Sequence, residues 1–298
     1  LTVNYGFRYD MYSVDNEPTY NATASNTFGY DNSNTIDGTS LFQPRVGFNY
    51  TFDSERPSQL RGGFGKFSGQ SPTVWLANPY SNNGLSYTDY FISTGAGVTF
   101  VPDPDDQLSA FAPGNGATQS VDFISPDLAQ PSAWKANIAF DYETPWYGIV
   151  LTTEYIATSV IDAIFYQQLN LGTANQTLTA NGATGVGQDG RVIYWNNAGL
   201  NPANFNQFGT SSGGATARGN RITAYNDAII AQSTGKGGSD SFTMALSQPF
   251  NDNDWSWNVA YTYTYAEEVS PLANSISGST LANVAVFQAN EEVLARSN

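Results

Sequence analysis

A stretch of strict two-residue alternation places the strongest constraint on the fold. Residues 255–266 read WSWNVAYTYTYA, with two Trp, one Val and three Tyr at the odd positions. The even positions carry Ser, Asn, Ala and Thr. Because successive side chains of a β-strand point to opposite faces, this segment has one aromatic face and one small polar face. The pattern predicts a strand whose two sides meet different surroundings.

The chemistry of the two faces favours a membrane over a soluble core. A half-buried strand of a soluble sandwich alternates in the same way, but the apolar sides of such strands are mostly aliphatic. Trp and Tyr combine an apolar body with a polar tip, which suits a membrane–water boundary. Twelve residues at about 3.3 Å each, tilted by about 40°, rise about 30 Å and cover the apolar band of an outer-membrane barrel. We therefore interpret the stretch as a transmembrane β-strand.

The residue types that are missing exclude several functions. The 298 residues contain no His and no Cys, so the chain has no Ser-His-Asp triad, His-based metal site, thiol nucleophile or disulfide. A net charge of −15 opposes nucleic-acid binding, which depends on Lys and Arg. No run approaches 18 apolar residues, so no transmembrane helix is expected. We expect no enzymatic activity, no catalytic residue, no cofactor and no nucleic-acid partner.

Similar alternation recurs along the chain. It predicts strands at 1–12, 42–52, 60–68, 134–143 and 147–168, the last with an irregularity near Ser159, and one long arm over 221–250 interrupted at Gly235–Gly238. Connections alternate between short turns and long polar loops near 13–41, 69–132, 169–220 and 267–298. Outer-membrane barrels have this asymmetry, with short periplasmic turns and long extracellular loops. The sequence predicts an all-β fold, an antiparallel transmembrane β-barrel, with residues 1–298 forming part of one barrel domain.

The strand count indicates a partial barrel. With 221–250 taken as one arm, the prediction has seven strands, whereas bacterial barrels of this kind have an even number. The chain also starts in mid-strand at Leu1 without a Met. We expect a segment of a larger barrel, with residues 267–298 forming a loop or the start of the next strand.

An aromatic–amide cluster in the second long loop is the candidate ligand-contact site. It consists of Trp75, Tyr80, Asn82 and Asn83. These side chains can contact a ligand at the outer mouth, or they can pack the loop onto itself or onto the barrel wall. Packing is the more common role of such a cluster, and both interpretations stay open.

Two further motifs are weaker. Asp103, Asp105 and Asp106 form either a loose calcium site or a solvated acidic turn. The GVGQDG at 185–190 matches a dinucleotide-binding pattern, but no convincing strand precedes it and no helix follows it. Neither motif supports a resident cofactor.

Three segments together resemble the TonB-dependent outer-membrane receptors, in particular their Oar-like branch. They are LFQPRVGFNYTF at 41–52, LRGGFGKFSGQSPTVWLANPYSNNG at 60–84 and the run from Trp134 to Leu171. The similarity covers most of this chain but only part of a typical family member. None of the segments is a catalytic motif, so they point to the family and not to the ligand.

This resemblance implies a barrel of 22 or more strands closed by an N-terminal plug. It also implies import of a bulky ligand, with energy supplied by TonB, ExbB and ExbD, and Oar-like members are linked to peptide or protein traffic. No plug, TonB box or aromatic barrel-terminal residue is recognisable in these residues. We expect a location in the bacterial outer membrane, contact with its lipids, and a role as barrel wall and ligand-capturing loops. The alternative is a secreted all-β carbohydrate-binding protein with Trp and Tyr as stacking platforms in one groove.

Overall fold

Seven antiparallel strands with alternating side chains form a continuous wall. The computed structural model describes residues 1–69, 73–86, 101–105, 119–172, 176–177, 192–194, 221–250, 255–270, 272, 274–282 and 290–297. The motif at 185–190, the short connection at 251–254 and Asp106 lie outside the described residues. Within the described part, no helix has both the length and the apolar character needed to cross a bilayer.

The elements follow the chain in this order: β1 Thr2–Met11, α1 Ala22–Phe28, β2 Ser40–Thr51, β3 Ser58–Ser68, α2 Thr73–Leu76, α3 Asn78–Ser81, β4 Gln119–Ile124, β5 Ser132–Glu143, β6 Val150–Gln168, β7 Gln176–Thr177, β8 Val192–Ile193, β9 Tyr225–Thr234, β10 Gly237–Gln248, β11 Trp257–Glu268, α4 Ser277–Ala282 and β12 Ala295–Arg296. The wall has the strand order β1-β2-β3-β5-β6-β10-β11, and β12 adds two residues beyond β11. The predicted strands and the antiparallel fold are confirmed.

The strand register brings the apolar positions of all seven strands onto one face. Tyr5 lies opposite Val46, which lies opposite Phe64, and Phe64 lies opposite Ala136. The same alignment continues through β6 and β10 to the tyrosines of β11. Because a strand alternates strictly, the opposite face receives most of the Asn, Thr, Ser, Arg and carboxylate side chains, while Asp240 and Lys66 lie on the apolar side. We call these the apolar wall face and the polar wall face.

Among the described residues, no packed apolar core covers either side of the wall strands. Both β1 and β11 are exposed along nearly their whole length, and Tyr5 and Tyr261 are 88% and 68% exposed. Large apolar side chains on an open sheet face normally mark a contact with another apolar phase. The apolar wall face therefore has the surface expected of a barrel exterior in lipid.

Apolar burial occurs instead at one end of the wall. There the long connections fold into a loop layer, formed by α1–α4, β4, β9 and the end of β6, Ala163–Gln168. The apolar clusters found among the described residues lie in this layer: Ala24, Val121, Phe123, Tyr225, Ala228 and Ile230; Ile36, Leu76, Ile124 and Leu128; and Ile164, Tyr166, Ile229 and Ala231. The described parts of the long connections lie at the same end of the wall.

One strand connects the wall to the loop layer. β6 is 19 residues long and pairs with β10 along its first half and with β9 along its second half. The predicted interrupted arm over 221–250 is therefore confirmed, with the break between Thr234 and Gly237. Opposite β5, the register shifts so that Ser132 faces Asp162 and Ala133 faces Val160. This irregularity lies close to the predicted position near Ser159.

The described parts of the long connections contain short helices and strands. The 13–41 connection contains α1, which begins with the Asn21 side chain accepting from Ala24 N and ends at Gly29 with a φ of 78°. The 69–132 connection contains α2, α3 and β4, and β4 pairs in parallel with β9. The 267–298 connection contains α4 and the short β12. These elements are short and depend on distant partners, so local periodicity did not reveal them.

Candidate functional site

A network of ion pairs and hydrogen bonds covers the middle of the polar wall face. Arg61 lies 3.1 Å from Asp141 through Nε and 3.6 Å from Glu154 through Nη1. The Glu154 carboxylate also accepts from Asn137 Nδ2 at 3.2 Å, and Thr152 Oγ1 donates to Asp141 at 2.7 Å. Strands β3, β5 and β6 contribute to this network because their register places these residues side by side. One guanidinium lies between two carboxylates, so this part of the surface is hydrophilic and carries one excess negative charge.

A second network lies where β1 and β2 approach the loop layer. Asp10 accepts from Arg8 Nε and from Gln43 Nε2, each at 2.7 Å. Gln43 Oε1 in turn accepts from Arg45 Nη2 at 3.0 Å and from the backbone N–H of Ser68 at 3.0 Å. The Gln43 side chain is fully buried, so its amide joins three strands below the layer. This network holds β1, β2 and β3 at fixed positions under the loops.

The last hairpin lines the same face with hydroxyl groups. Ser241 and Thr264 hydroxyls lie 3.0 Å apart, and Thr243 and Thr262 hydroxyls lie 2.9 Å apart. These cross-strand pairs have directly opposed positions in the β10–β11 register. Small hydroxyl side chains leave space and bind water, which is the character of a barrel lumen.

The predicted aromatic–amide cluster lies in the loop layer, and its two aromatic residues form hydrogen bonds between loops. Trp75 Nε1 donates to Asn274 O at 2.8 Å, and its ring packs beside the cluster that contains Ile229. The Tyr80 hydroxyl donates to Asn16 O in the first long connection. Burial raises the pKa of the Tyr80 hydroxyl, and the Glu17 carboxylate adds to this effect. Both aromatic residues join distant segments of the chain.

The two amide side chains of the cluster also form hydrogen bonds within the loop layer. Asn82 Nδ2 donates to Asp122 Oδ2 at 2.7 Å. Asn83 is 1% exposed, and its Oδ1 accepts from the N–H groups of Leu85 and Ser86, each at 2.8 Å. The four residues are thus near one another and shape the layer. Their contact with a ligand stays a prediction, and Tyr80, which remains 37% exposed, is the most accessible of them.

Sequence reasoning missed the buried carboxylate of Asp122. It accepts from Asn82 and from Ser277 Oγ at 2.7 Å, while its other oxygen, Oδ1, has no hydrogen-bond partner among the described residues. Burial raises the pKa of Asp122 to about 6, against the lowering effect of the two donors, and Asp227 raises it further. The signal in the sequence is an acidic residue inside the apolar run VDFI at 121–124. This carboxylate holds three segments of the layer together.

The predicted calcium site is only partly described. Asp103 Oδ1 accepts from the N–H of Asp105 at 2.9 Å, which is the geometry of an Asx turn. Among the described residues, no group of three or more acidic side chains could hold a metal ion. Calcium binding at this turn therefore stays a prediction.

The distribution of aromatic side chains differs from the arrangement that a carbohydrate-binding groove would require. Rings on the apolar wall face are spread across β1 to β11, from Tyr5 and Phe7 to Tyr261 and Tyr263. Phe64 and Trp134 stack at 4.7 Å between centroids on neighbouring strands. A belt of this kind surrounds a barrel at the membrane.

Comparison with known proteins agrees with this geometry. The family model described as "Outer membrane beta barrel domain" matches residues 1–293. No curated protein and no solved structure gave a significant match. The chain belongs to the outer membrane beta barrel domain family, and its location is the bacterial outer membrane.

Proposed function

We propose that this chain is part of a TonB-dependent receptor of the Oar-like kind, in which it forms barrel wall and ligand-capturing outer loops. The transported ligand is bulky, and we propose a peptide or protein. Ligand capture and passage involve no bond making or breaking, so the proposed function is not enzymatic and needs no cofactor. Energy would come from TonB, ExbB and ExbD acting through a plug domain.

The observation that carries this proposal is the loop layer at one end of the wall. Its parts come from connections far apart in the chain, as in the contact of Trp75 with Asn274 and of Asp122 with Ser277. A surface that is ordered before binding loses less conformational entropy when a large ligand docks. This organisation supports a receptor for a large ligand more than a simple diffusion pore.

The polar wall face supports passage through the same barrel. It carries groups of both charges, as where Arg61 lies between Asp141 and Glu154. A plug or a ligand that moves past such a surface meets water-compatible groups of both signs. This surface suits a hydrophilic cargo of variable sequence.

Peptide uptake in cells that carry the native gene tests the proposal. The probe is a fluorescently labelled tryptic digest of casein, and entry is measured in cells with the gene, without it, and with the gene but lacking TonB. We expect entry to require both the gene and TonB. Entry that depends on the gene but not on TonB would contradict the TonB-dependent assignment.

The predicted ligand contacts have a matched pair of variants. Tyr80→Phe keeps the ring and removes the hydroxyl that reaches Asn16, while Thr243→Val removes a hydroxyl from the polar wall face. If Tyr80 contacts the peptide, the first variant should lower peptide binding to whole cells severalfold, and the second should not. Equal peptide binding by both variants would show that the Tyr80 hydroxyl does not contribute to the ligand-contact site.

A further inference from the structure

A groove of about 550 Å³ lies at the end of the wall opposite the loop layer. Its apolar side is formed by Phe52, Phe140 and Tyr142, which belong to the apolar wall face. Its polar side is formed by the short turn between β2 and β3, including Glu55 and Arg56. The groove therefore joins a lipid-facing surface to a charged turn.

The rings of the groove form a connected apolar wall. Phe52 and Phe140 are 6.2 Å apart between centroids at an interplanar angle of 76°. Phe140 and Tyr142 are 6.3 Å apart and nearly parallel, at 10°. Edge and face contacts of this kind hold aromatic rings in place. An acyl chain can lie along these rings without disturbing the strands.

Hydrogen bonds fix the charged turn before any ligand binds. Ser54 Oγ donates to Arg56 O at 2.6 Å and lies 3.0 Å from Ser58 Oγ. Arg56 Nη1 donates to Thr144 O at 3.2 Å, so the guanidinium is anchored on the neighbouring short turn. One such bond leaves further N–H donors free on a guanidinium group. No ion pair joins Glu55 or Arg56 to another residue in the described part of the chain.

Exposed aromatic residues place this end of the wall at a membrane boundary. The short turn after β5 carries Trp146 and Tyr147, which are 67% and 83% exposed, and at the same end Phe250 follows β10 and Trp255 precedes β11. Aromatic girdles of this kind mark the interfaces of outer-membrane barrels, and short turns lie on the periplasmic side. The groove thus lies at the level where lipid headgroups of the periplasmic leaflet meet their acyl chains.

We propose that this groove binds one phosphatidylethanolamine molecule of the periplasmic leaflet. One acyl chain lies along Phe52, Phe140 and Tyr142. The guanidinium of Arg56 binds the phosphate, and the carboxylate of Glu55 accepts from the ammonium. A neighbouring pair of opposite charges complements a zwitterionic headgroup, whereas an anionic headgroup would meet repulsion from Glu55. The proposal needs only the outer-membrane location and is independent of the transported ligand.

Native mass spectrometry of the full protein, purified from outer membranes and stripped of lipid, tests this site. The protein is titrated with dioleoyl phosphatidylethanolamine, dioleoyl phosphatidylglycerol and soluble phosphoethanolamine. The variants are Arg56→Gln, which replaces the guanidinium by a neutral amide, and Glu55→Gln. Lys66→Gln is the matched control, because it removes a charge from the opposite end of β3. Heat-dependent gel mobility establishes that each variant is folded.

The expected results separate the parts of the site. One phosphatidylethanolamine should bind in preference to phosphatidylglycerol, and Arg56→Gln should weaken its binding about tenfold. Glu55→Gln should reduce the preference between the two lipids, and Lys66→Gln should change neither value. Unchanged binding in Arg56→Gln, or a preference for phosphatidylglycerol in the native protein, would overturn the proposal. Equal affinity for soluble phosphoethanolamine would overturn the role of the aromatic rings.

Discussion

At the level of single residues, parity along a strand predicts which environment a side chain meets, but it does not identify distant partners. Arg8, Arg61 and Glu154 lie on the polar wall face, as alternation from their neighbours requires. In contrast, the hydrogen bond from Ser277 to Asp122 joins residues 155 positions apart. No local pattern encodes such a contact. The ionic lining of the wall could therefore be predicted from the sequence, whereas the hydrogen-bond partners of the buried carboxylate could not.

Asp122 should make the stability of the loop layer depend on pH. Its pKa in the folded chain, about 6, is above the ordinary value of 3.8, so the folded state binds the proton more tightly. The associated stability is fully present below pH 3.8 and is lost as pH rises through about 6. We expect Asp122→Asn to stabilise the layer by about 1–3 kcal/mol at pH 7.5 and to have little effect near pH 4.

Hydrogen exchange of peptides covering 119–124, corrected for the intrinsic pH dependence of exchange, measures this effect. Asp53→Asn, in an exposed short turn, is the control for loss of one carboxylate. Equal protection of the native chain and Asp122→Asn at pH 7.5 would show that the buried carboxylate does not destabilise the layer.

At the level of elements, the long two-faced strands were predictable and the short elements were not. β1, β2, β5 and β11 each alternate over ten or more residues, which gives a strong signal from sequence alone. β4 has six residues, and its pairing with β9 depends on a segment about 100 positions away. Short apolar runs do not distinguish strand from helix or loop without their partners. The composition of these connections, rich in Asn, Gly and Thr, pointed to loops.

Opposite faces of β11 should respond differently to a positive charge. Tyr261 lies on the apolar wall face, and its neighbour Thr262 lies on the polar wall face beside Thr243. Tyr261→Arg should destabilise the inserted protein by about 2–4 kcal/mol, while Thr262→Arg should cost much less. The measurement is a urea titration of refolding into lipid vesicles, in which gel mobility reports the folded fraction. Similar midpoints for both variants would contradict the assignment of the faces.

The junction between β9 and β10 should tolerate no side chain at Gly238. A Cβ at this position would lie 2.5 Å from the backbone oxygen of Thr158 on β6. Gly6 on β1 is a matched control, because a Cβ there meets nothing within 4 Å. We expect Gly238→Ala to lower stability by about 1–3 kcal/mol and Gly6→Ala to have a small effect. The two variants are compared by urea unfolding in detergent, with tryptophan fluorescence as the signal. Equal unfolding midpoints would show that the strands move apart to accept the Cβ without a loss of stability.

At the level of the whole molecule, apolar residues serve two separate purposes. Those of the wall remain exposed, as Tyr5 and Tyr261 do, while those of the loop layer are buried against each other, as Phe123 and Ile230 are. Alternation and loop length predicted the wall and the end from which the long connections leave it. The packed interior of the layer required contacts among four connections, which sequence periodicity does not report.

The orientation of the molecule can be tested by labelling, since the chain contains no Cys. Glu17 is exposed in the first long connection, and Asp53 is exposed in a short turn. With short turns on the periplasmic side, a membrane-impermeant maleimide should label Glu17→Cys on intact cells and Asp53→Cys only after permeabilisation. Labelling of Asp53→Cys on intact cells, without labelling of Glu17→Cys, would show the reverse orientation.

The uninterrupted length of β6 has a mechanical consequence. At about 3.3 Å per residue, its 19 residues extend roughly 60 Å from the short-turn end into the outer loops. Hydrogen bonds to β5 and β10 hold its first part on both sides, and β9 pairs with its second part. A force applied to the cell-surface side of the protein therefore passes along one continuous strand to the membrane-embedded part, and the register shift opposite Ser132 is the point where this strand can bend.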